Sequence, residues 1–227
     1  MIAQRYKDML SGKSVIRQIS EWSTARGTEI GYENVFDYSL GNPSVPCPEH
    51  FTKTCIDLLQ TKEPVTLHGY SPTLTIPAVR KAVAESLNRR FGMDYGMEHI
   101  FMATGAAGAL AHAMRCVAVP GQDIITFAPF FPEYTVFVHN ANAKAVVLPP
   151  DTEHFQISLD ALEKAITPHT RAIIINSPNN PSGVVYSADT YEKLAALLTR
   201  KSQEIGHPIY IISDEPYREI RSEERRV

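Results

Sequence analysis

Cysteine is scarce in this chain, and so are long apolar runs and an excess of charge of one sign. Three cysteines occur in 227 residues, with neither a CxxC pair nor the spacing of a zinc site: Cys47, Cys55 and Cys116. This usage predicts a cytoplasmic protein with no metal site and no disulfide framework. No stretch approaches the roughly 20 apolar residues of a membrane-spanning helix, and the N-terminal segment lacks the apolar centre of a secretion signal.

The charge balance argues against further classes of function. The formal net charge is -3, from 22 basic and 25 acidic residues. This value argues against a dedicated nucleic-acid binder or a membrane-surface protein. The basic cluster at 218–226 is interleaved with glutamates, which predicts a solvated tail. With 44% hydrophobic residues, the composition is that of an ordinary globular chain that can bury a core.

Continuous apolar segments alternate with amphipathic ones along the chain. The spacing predicts strands at 99–103, 123–127, 144–148, 171–176 and 209–213. It predicts helices within 1–40 and at 49–60, 76–91, 105–117, 131–140, 159–166 and 187–205. The buried face of the last helix is predicted to consist of Tyr191, Leu194, Ala195 and Leu198. Apolar strands without alternation are typical of a parallel sheet that is covered on both faces. The sequence therefore predicts an α/β fold with a mostly parallel sheet and helices on both faces, whose ligands gather at the carboxyl ends of the strands.

The turn after the predicted strand 99–103 opens a helix with small residues, from Thr104 through Gly105 to Gly108. A glycine lets the backbone approach an anion, and the free N–H groups of a first helical turn point at it, which suits a phosphate. The same residues would equally serve close packing of the helix on the sheet. This segment alone leaves both interpretations open.

Two other strand ends carry an aromatic ring and amides. Phe131 follows the strand 123–127, where its ring could stack on a planar ligand or pack in the core. Asn179 and Asn180 stand in a loop, 176–183, that also holds two prolines and a glycine. Their side chains could donate to a ligand oxygen or could form an Asx turn.

Asp214 follows the last predicted strand, 209–213. It could cap a helix, or it could face a protonated heteroaromatic nitrogen, because a carboxylate at the end of a buried strand needs a partner. A phosphate cradle, a stacking ring, an amide and a carboxylate would then share one edge of one sheet. Together they indicate a site for pyridoxal 5′-phosphate (PLP).

Four motifs resemble those of the class I/II aminotransferases, the fold-type I PLP enzymes. The loop 176–183, Asn-Ser-Pro-Asn-Asn-Pro-Ser-Gly, resembles the family motif N-x-P-x-N-P-T/S-G, and 213–217 resembles its D-x-x-Y motif. Segment 40–43 resembles the glycine loop beside the substrate, and 68–80 resembles the G-Y-x-x-x-x-G-x-x-x-L-R segment. The resemblance runs from about residue 14 to 220 and implies the large domain of a PLP-dependent transferase, incomplete at its C-terminus.

The resemblance implies a cofactor-binding role for five residues that match its motifs. Backbone N–H groups of Ala106 and Ala107, after Gly105, would hold the phosphate. Phe131 would stack on the pyridine ring, and Asp214 would pair with the protonated ring nitrogen, N1.

It also implies roles for residues around the other ring substituents and the substrate. Asn180 and Tyr217 would reach the ring oxygen O3′, and Asn180 would also contact the substrate. Gly41 would bind the substrate carboxylate through its backbone. Tyr70 would reach the phosphate of a neighbouring subunit, so that the complete site would require a homodimer.

The chain departs from the family pattern at three points. Thr75 stands near a usual glycine, and Ala107 replaces a residue that often carries a hydroxyl. The family's Schiff-base lysine lies some tens of residues beyond the D-x-x-Y motif, whereas the last lysine here is Lys201, before Asp214. Lys193 and Lys201 are predicted to lie on the surface of a helix. The resemblance therefore implies no catalytic residue within these residues and predicts a truncated aminotransferase that is inactive alone.

The function expected of the family is transfer of an amino group from an amino acid to a 2-oxo acid, in amino acid metabolism and biosynthesis. Two alternatives are a PLP-binding or dimerising pseudoenzyme and a fragment of a PLP-dependent carbon–sulfur lyase. A dinucleotide loop at 104–108 is disfavoured, because the GxGxxG spacing is missing. The predicted division is an N-terminal arm with part of a small domain (1–45), a large PLP-binding domain (46–220) and a charged tail (221–227).

Overall fold

The computed structural model describes residues 4, 7, 15–39, 41, 45–72, 74–150 and 153–220. Its chain divides into two compact units, Met1–Tyr70 and Ser71–Val227. The boundaries at 45 and 220 stay predictions, and the predicted tail lies outside the described residues. None of the helices formed by the described residues combines the length and the hydropathy that a bilayer crossing requires.

The first unit is helical in its described part. Its helices are α1 (Val15–Ile30), α2 (Glu49–Thr61) and α3 (Pro64–His68), with a 3-10 turn at Tyr32–Asn34. The prediction of a helix around Trp22 and of another at 49–60 is confirmed. Trp22 is nonetheless 65% exposed, and no apolar side chain among the described residues 15–70 is buried.

The second unit alternates helices and strands. Its helices are α4 (Pro77–Phe91), α5 (Gly105–Val117), α6 (Glu133–Asn140), α7 (Leu159–Ala165) and α8 (Ala188–Ile205). Its strands are β1 (Asp123–Phe127), β2 (Lys144–Leu148), β3 (Thr170–Asn176) and β4 (Tyr210–Asp214). They pair in parallel in the order β2-β1-β3-β4, which confirms the predicted α/β fold with a parallel sheet.

Apolar side chains cover the sheet on both faces at β3. Ile173 and Ile175 pack with residues of α7 and α8, whereas Ala172 and Ile174 pack with residues of α5 and α6. Because successive side chains of a strand point to opposite faces, an unbroken apolar run fits a strand that lies between two helical layers. This arrangement fixes the sheet and leaves its carboxyl edge to the loops.

The predicted strand at 99–103 is wrong. The chain forms a 3-10 turn at Met97–His99 and then runs on without pairing in the described sheet. The buried guanidinium of Arg80 takes the place of a ladder, since its Nη2 donates to the carbonyl of Met97 at 2.5 Å and its Nε to that of Ile100 at 2.9 Å. The side chain of Arg80, distant in sequence, thus satisfies two backbone carbonyls in the region where a neighbouring strand was expected to supply the donors.

Two burial predictions also need correction. The buried stripe of α8 consists of Thr190, Leu194, Leu197 and Leu198, whereas the predicted Tyr191 and Ala195 are exposed. The ring of Tyr191 packs at the margin of this face, edge-on to Tyr186. The last strand is not covered on both faces: Tyr210 and Ile211, successive side chains that point to opposite faces, are each 47% exposed. β4 is also an edge strand of the described sheet and pairs only with β3.

Candidate functional site

Three loops meet at the carboxyl edge of the sheet, after β1, β3 and β4. Parallel pairing brings the ends of these strands to one edge, and Asn176 at the end of β3 lies in register with Asp214 at the end of β4. The loop after β3 carries Asn179 and Asn180, and Tyr217 lies in the turn after β4. The sheet therefore brings together the residues predicted after β1, β3 and β4, whereas the strand predicted before Gly105 does not form.

Asp214 is a buried carboxylate, 8% exposed, at the end of β4. Its Oδ2 accepts a hydrogen bond from the phenol of Tyr134 at 2.6 Å. The described residues that follow form a turn rather than a helix, so Asp214 does not act as the helix cap that the sequence left open. The carboxylate is instead held at the edge of the sheet by a neutral donor.

Tyr134 is a site residue to which sequence reasoning gave no role. It lies in the first turn of α6, is 1% exposed, and has its ring edge-on to Phe131 at a centroid distance of 5.7 Å. The ring of Phe130 stacks on the Tyr134 ring at a centroid distance of 6.2 Å. Burial first, and then the hydrogen bond to Asp214, raise the pKa of Tyr134 far above its ordinary value, so the phenol stays a donor. The only signal in the sequence was a cluster of aromatic residues after β1.

Asn176 is a second residue that the sequence motif contained but did not explain. Its side chain is 4% exposed and spans two loops. The amide Nδ2 donates to the main-chain carbonyl of Asp214 at 2.8 Å, and Oδ1 accepts from the main-chain N–H of Asn180 at 2.6 Å. One carboxamide thus sets the position of Asn180 against the end of β4.

The two asparagines of the loop have different surroundings. Asn179 is buried, and its Oδ1 accepts from the main-chain N–H of Ser182 at 3.0 Å and from the hydroxyl of Ser182 at 2.7 Å. Its Nδ2 donates to the carbonyl of Pro129 at 3.4 Å, which ties this loop to the one after β1. Asn180 instead directs Nδ2 to the phenol oxygen of Tyr217 at 3.3 Å. The Asx-turn interpretation therefore suits Asn179, and the pair of Asn180 and Tyr217 is the one available to a ligand.

The predicted phosphate cradle is a helix N-terminus. α5 begins at Gly105, whose φ of +70° requires glycine-like freedom, and a Cβ there would meet nothing within 4 Å. Thr104 precedes it without a side-chain capping bond, and Gly105, Ala106 and Ala107 are exposed. Leu110 of the same helix packs in the cluster that contains Tyr134. The helix thus offers uncapped N–H groups at one end and joins the core around the site further along.

Two predicted residues belong to the first unit. These are Gly41 and Tyr70, and the side chain of Tyr70 is fully exposed. The neighbours of Gly41 at 40 and 42–44, which include most of the predicted glycine loop, lie outside the described residues. The roles of Gly41 and Tyr70 stay predictions.

The chain is similar to proteins of one family over most of its length. Residues 33–226 match the family Aminotransferase class I and II. The aspartate aminotransferase of Rhizobium meliloti (strain 1021) is 34% identical over 79% of this chain and 42% of its own length. The aspartate/prephenate aminotransferase of Thermus thermophilus is 31% identical over 80% of this chain and 45% of its own. The crystal structure of an aminotransferase from Eubacterium rectale matches 98% of this chain and 56% of its own, with a TM-score of 0.93 and 46% identity. The chain spans about half the length of these relatives.

Proposed function

Because the chain belongs to the class I and II aminotransferases, we propose that it is the cofactor-binding part of a PLP-dependent aminotransferase. The reaction would transfer an amino group from an amino acid to a 2-oxo acid. The observation that carries the proposal is the buried carboxylate of Asp214, linked through Asn176 to the pair of Asn180 and Tyr217. An anion, an amide and a phenol at one sheet edge match the polar atoms around a pyridine ring.

The polar groups around Asp214 fit the pyridine ring of PLP. Asp214 receives a hydrogen bond from a neutral phenol, so its negative charge is not cancelled and Oδ1 is left for a second donor. At about 3 Å and an effective dielectric constant near 20, the gross attraction to a protonated ring nitrogen is about 5 kcal/mol, before desolvation is subtracted. Asp214 would therefore hold the proton on N1. Asn180 and Tyr217 would donate to O3′, and Phe131 would lie against the ring face.

The phosphate end fits as well. The first turn of α5 has no side-chain cap, so the N–H groups of Ala106 and Ala107 are available to an anion. The helix dipole adds about 0.3–1 kcal/mol for an exposed anion at such a position. The N-terminus of α5 would anchor the cofactor, while the strand-end residues orient its ring.

When bound, PLP supplies an aldehyde that takes up the amino group and a ring that draws electrons from the substrate's Cα. The residues of this chain would orient the ring and keep its nitrogen protonated. In the family a lysine beyond the D-x-x-Y motif moves the proton. Lysine does not occur after Lys201 in these 227 residues. Lys193 lies on the surface of α8 and pairs with Asp189, as predicted, whereas the predicted surface position of Lys201 is wrong: its side chain is only 17% exposed and pairs with Glu204. We therefore propose that these residues alone bind the cofactor without turnover, which is also what a non-catalytic binding protein would do.

Binding of pyridoxamine 5′-phosphate, measured by isothermal titration calorimetry, tests the proposal. This ligand carries an amine in place of the aldehyde, so it does not react with surface lysines. We expect binding that inorganic phosphate competes with. Asp214→Asn keeps an acceptor for Tyr134 but removes the charge, and should weaken binding roughly tenfold or more, which is about 1.4 kcal/mol or more.

The matched control is Asp160→Asn, an identical change at an exposed residue of α7, which should leave the affinity unchanged. Absence of binding to the unaltered chain would refute the proposed site. Equal affinities of the Asp214 and Asp160 variants would refute the role of Asp214.

A further inference from the structure

Tyr134 contacts two of the residues that the proposed cofactor site uses. Its phenol donates to Asp214, which lies 80 positions away along the chain, and its ring meets Phe131 edge-on at an interplanar angle of 76°. Its main-chain N–H also donates to the carbonyl of Phe131, at 3.1 Å. The carboxylate proposed for the ring nitrogen and the aromatic ring proposed for the ring face thus share one neighbour.

We propose that Tyr134 is a positioning residue, which sets the direction of the Asp214 carboxylate and the tilt of the Phe131 ring for a bound pyridine cofactor. The inference rests on the proposed function and assigns a residue that supports it. Tyr134 itself would touch neither the substrate nor the reacting atoms.

The packing around Tyr134 makes it a rigid support. It lies in a cluster with Val138 of the same helix and with Ile174 and Ile212 of the sheet. A tyrosine that is 1% exposed, has only two side-chain torsions and packs against two aromatic rings has little freedom to move its hydroxyl. The position of the phenol oxygen is therefore fixed by the core of the second unit.

A fixed donor restricts a side chain that is otherwise free to rotate. The terminal torsion of an aspartate is broad and roughly two-fold, so the carboxylate alone does not keep one direction. A hydrogen bond of 2.6 Å to Oδ2 selects one orientation and directs Oδ1 elsewhere. Since a tyrosine hydroxyl is neutral, it orients the charge of Asp214 without neutralising it.

The test separates the ring nitrogen from the rest of the ligand. Pyridoxamine 5′-phosphate and its 1-deaza analogue, in which CH replaces the ring nitrogen, are titrated into the unaltered chain and into Tyr134→Phe. This variant keeps the aromatic contacts with Phe131 and removes only the hydroxyl. We expect affinity for the natural ligand to fall about threefold to tenfold and affinity for the analogue to stay the same. The ¹⁵N shift of the ring nitrogen in the bound natural ligand should move toward its unprotonated value.

Two further variants complete the design. Tyr210→Phe makes the same change at an exposed position of β4, the strand that ends in Asp214, and should alter neither affinity. Tyr134→Leu removes the ring as well as the hydroxyl, and should weaken both ligands because Phe131 loses its neighbour.

The outcomes distinguish the inference from the function on which it rests. If the unaltered chain binds neither ligand, the proposed function fails and the inference fails with it. If the chain binds but Tyr134→Phe retains both affinities, the function stands and the inference is overturned. Equal losses for the two ligands in Tyr134→Phe would show a merely structural role and would also overturn it.

Discussion

Neutral hydrogen-bonding groups hold the charged and polar residues at the strand ends. Tyr134 donates to Asp214, and the carboxamides of Asn176 and Asn179 satisfy main-chain groups of neighbouring loops. Buried polar groups need such partners, since an unsatisfied one costs about 1–3 kcal/mol. Neutral partners leave the charge of Asp214 uncompensated, which is what the proposed pairing with a protonated ring nitrogen requires.

Tyr186 should set part of the alkaline limit of stability. Burial first, and then neighbouring Tyr191, raise its pKa to about 12, whereas an unfolded tyrosine titrates near 10. The unfolded chain therefore loses this proton first, and stability that is present below about pH 10 is lost as the pH rises toward 12. Tyr186→Phe should flatten the fall of the unfolding free energy over that interval, by about 1–3 kcal/mol at its upper end.

Urea denaturation at several pH values measures this slope. The control is Tyr210→Phe, which removes a hydroxyl from an exposed position and should keep the slope of the unaltered chain. Part of the slope should persist in Tyr186→Phe, because the pKa of Tyr134 is raised in the same direction. An unchanged slope in Tyr186→Phe would mean that Tyr186 does not hold its proton more tightly in the folded chain.

The sequence identifies the residues of a motif better than the residues that form hydrogen bonds with them. Asp214 and Asn180 follow apolar strands in recognisable loops, so the sequence alone predicts that they lie together. Tyr134 donates to a partner 80 positions away, and no local pattern distinguishes it from a core aromatic residue. Asn176 was visible in its motif, but its two partners depend on the register of β3 and β4.

Hydrogen bonds from side chains connect the loops at the carboxyl edge of the sheet. The side chains of Asn176 and Asn179 join the loops after β1, β3 and β4 by hydrogen bonds to main-chain groups. A hydrogen bond from one side chain to the main chain of a neighbouring loop fixes the relative position of the two loops with a single residue. The geometry of this edge of the sheet therefore depends on individual amide groups.

Asn176→Asp should separate the ends of β3 and β4. The carboxylate keeps an acceptor for the N–H of Asn180 but places an oxygen where Nδ2 donated to the carbonyl of Asp214. Losing this bond in a buried place, and setting two acceptors against each other, should cost about 1–3 kcal/mol of unfolding free energy. Chemical denaturation measures the loss. Gln203→Glu, the same amide-to-acid change at an exposed position of α8, should cost about 0.5 kcal/mol or less. Equal stability of the two variants would contradict the structural role of Asn176.

The bounds of most elements follow from the sequence, and the failures have physical causes. The limits of α5, β1 and β2 are those that the apolar pattern predicts, because glycines and turn residues bracket them. The stretch 99–103 has the composition of a strand, but the carbonyls of Met97 and Ile100 bond to Arg80 instead. The predicted buried face of α8 wrongly includes Tyr191 and Ala195, because a pattern of leucines and alanines fits two adjacent faces of a helix.

Over the whole molecule, buried apolar surface is distributed unequally. Among the described residues, the buried apolar ones begin at Ala84 and lie in the second unit, where helices cover both faces of the sheet at β3. The described helices of the first unit expose large apolar side chains, and α2 has no buried residue. Helices gain most of their stability from packing of an apolar face, so the two units should differ in local stability.

Hydrogen exchange measured by mass spectrometry should resolve this difference. Amides of β3, whose exchange requires unfolding of the sheet, should be roughly a thousandfold or more better protected than amides of α2, which needs only local opening. Phe51 and Leu59, each 61% exposed, mark the face of α2 that lacks cover. The measurement is made over a dilution series, because association of two copies through this face would add protection that disappears on dilution. Protection of α2 equal to that of β3 at the lowest concentration would contradict the unequal distribution, since α2 has no buried side chain to stabilise it against local opening.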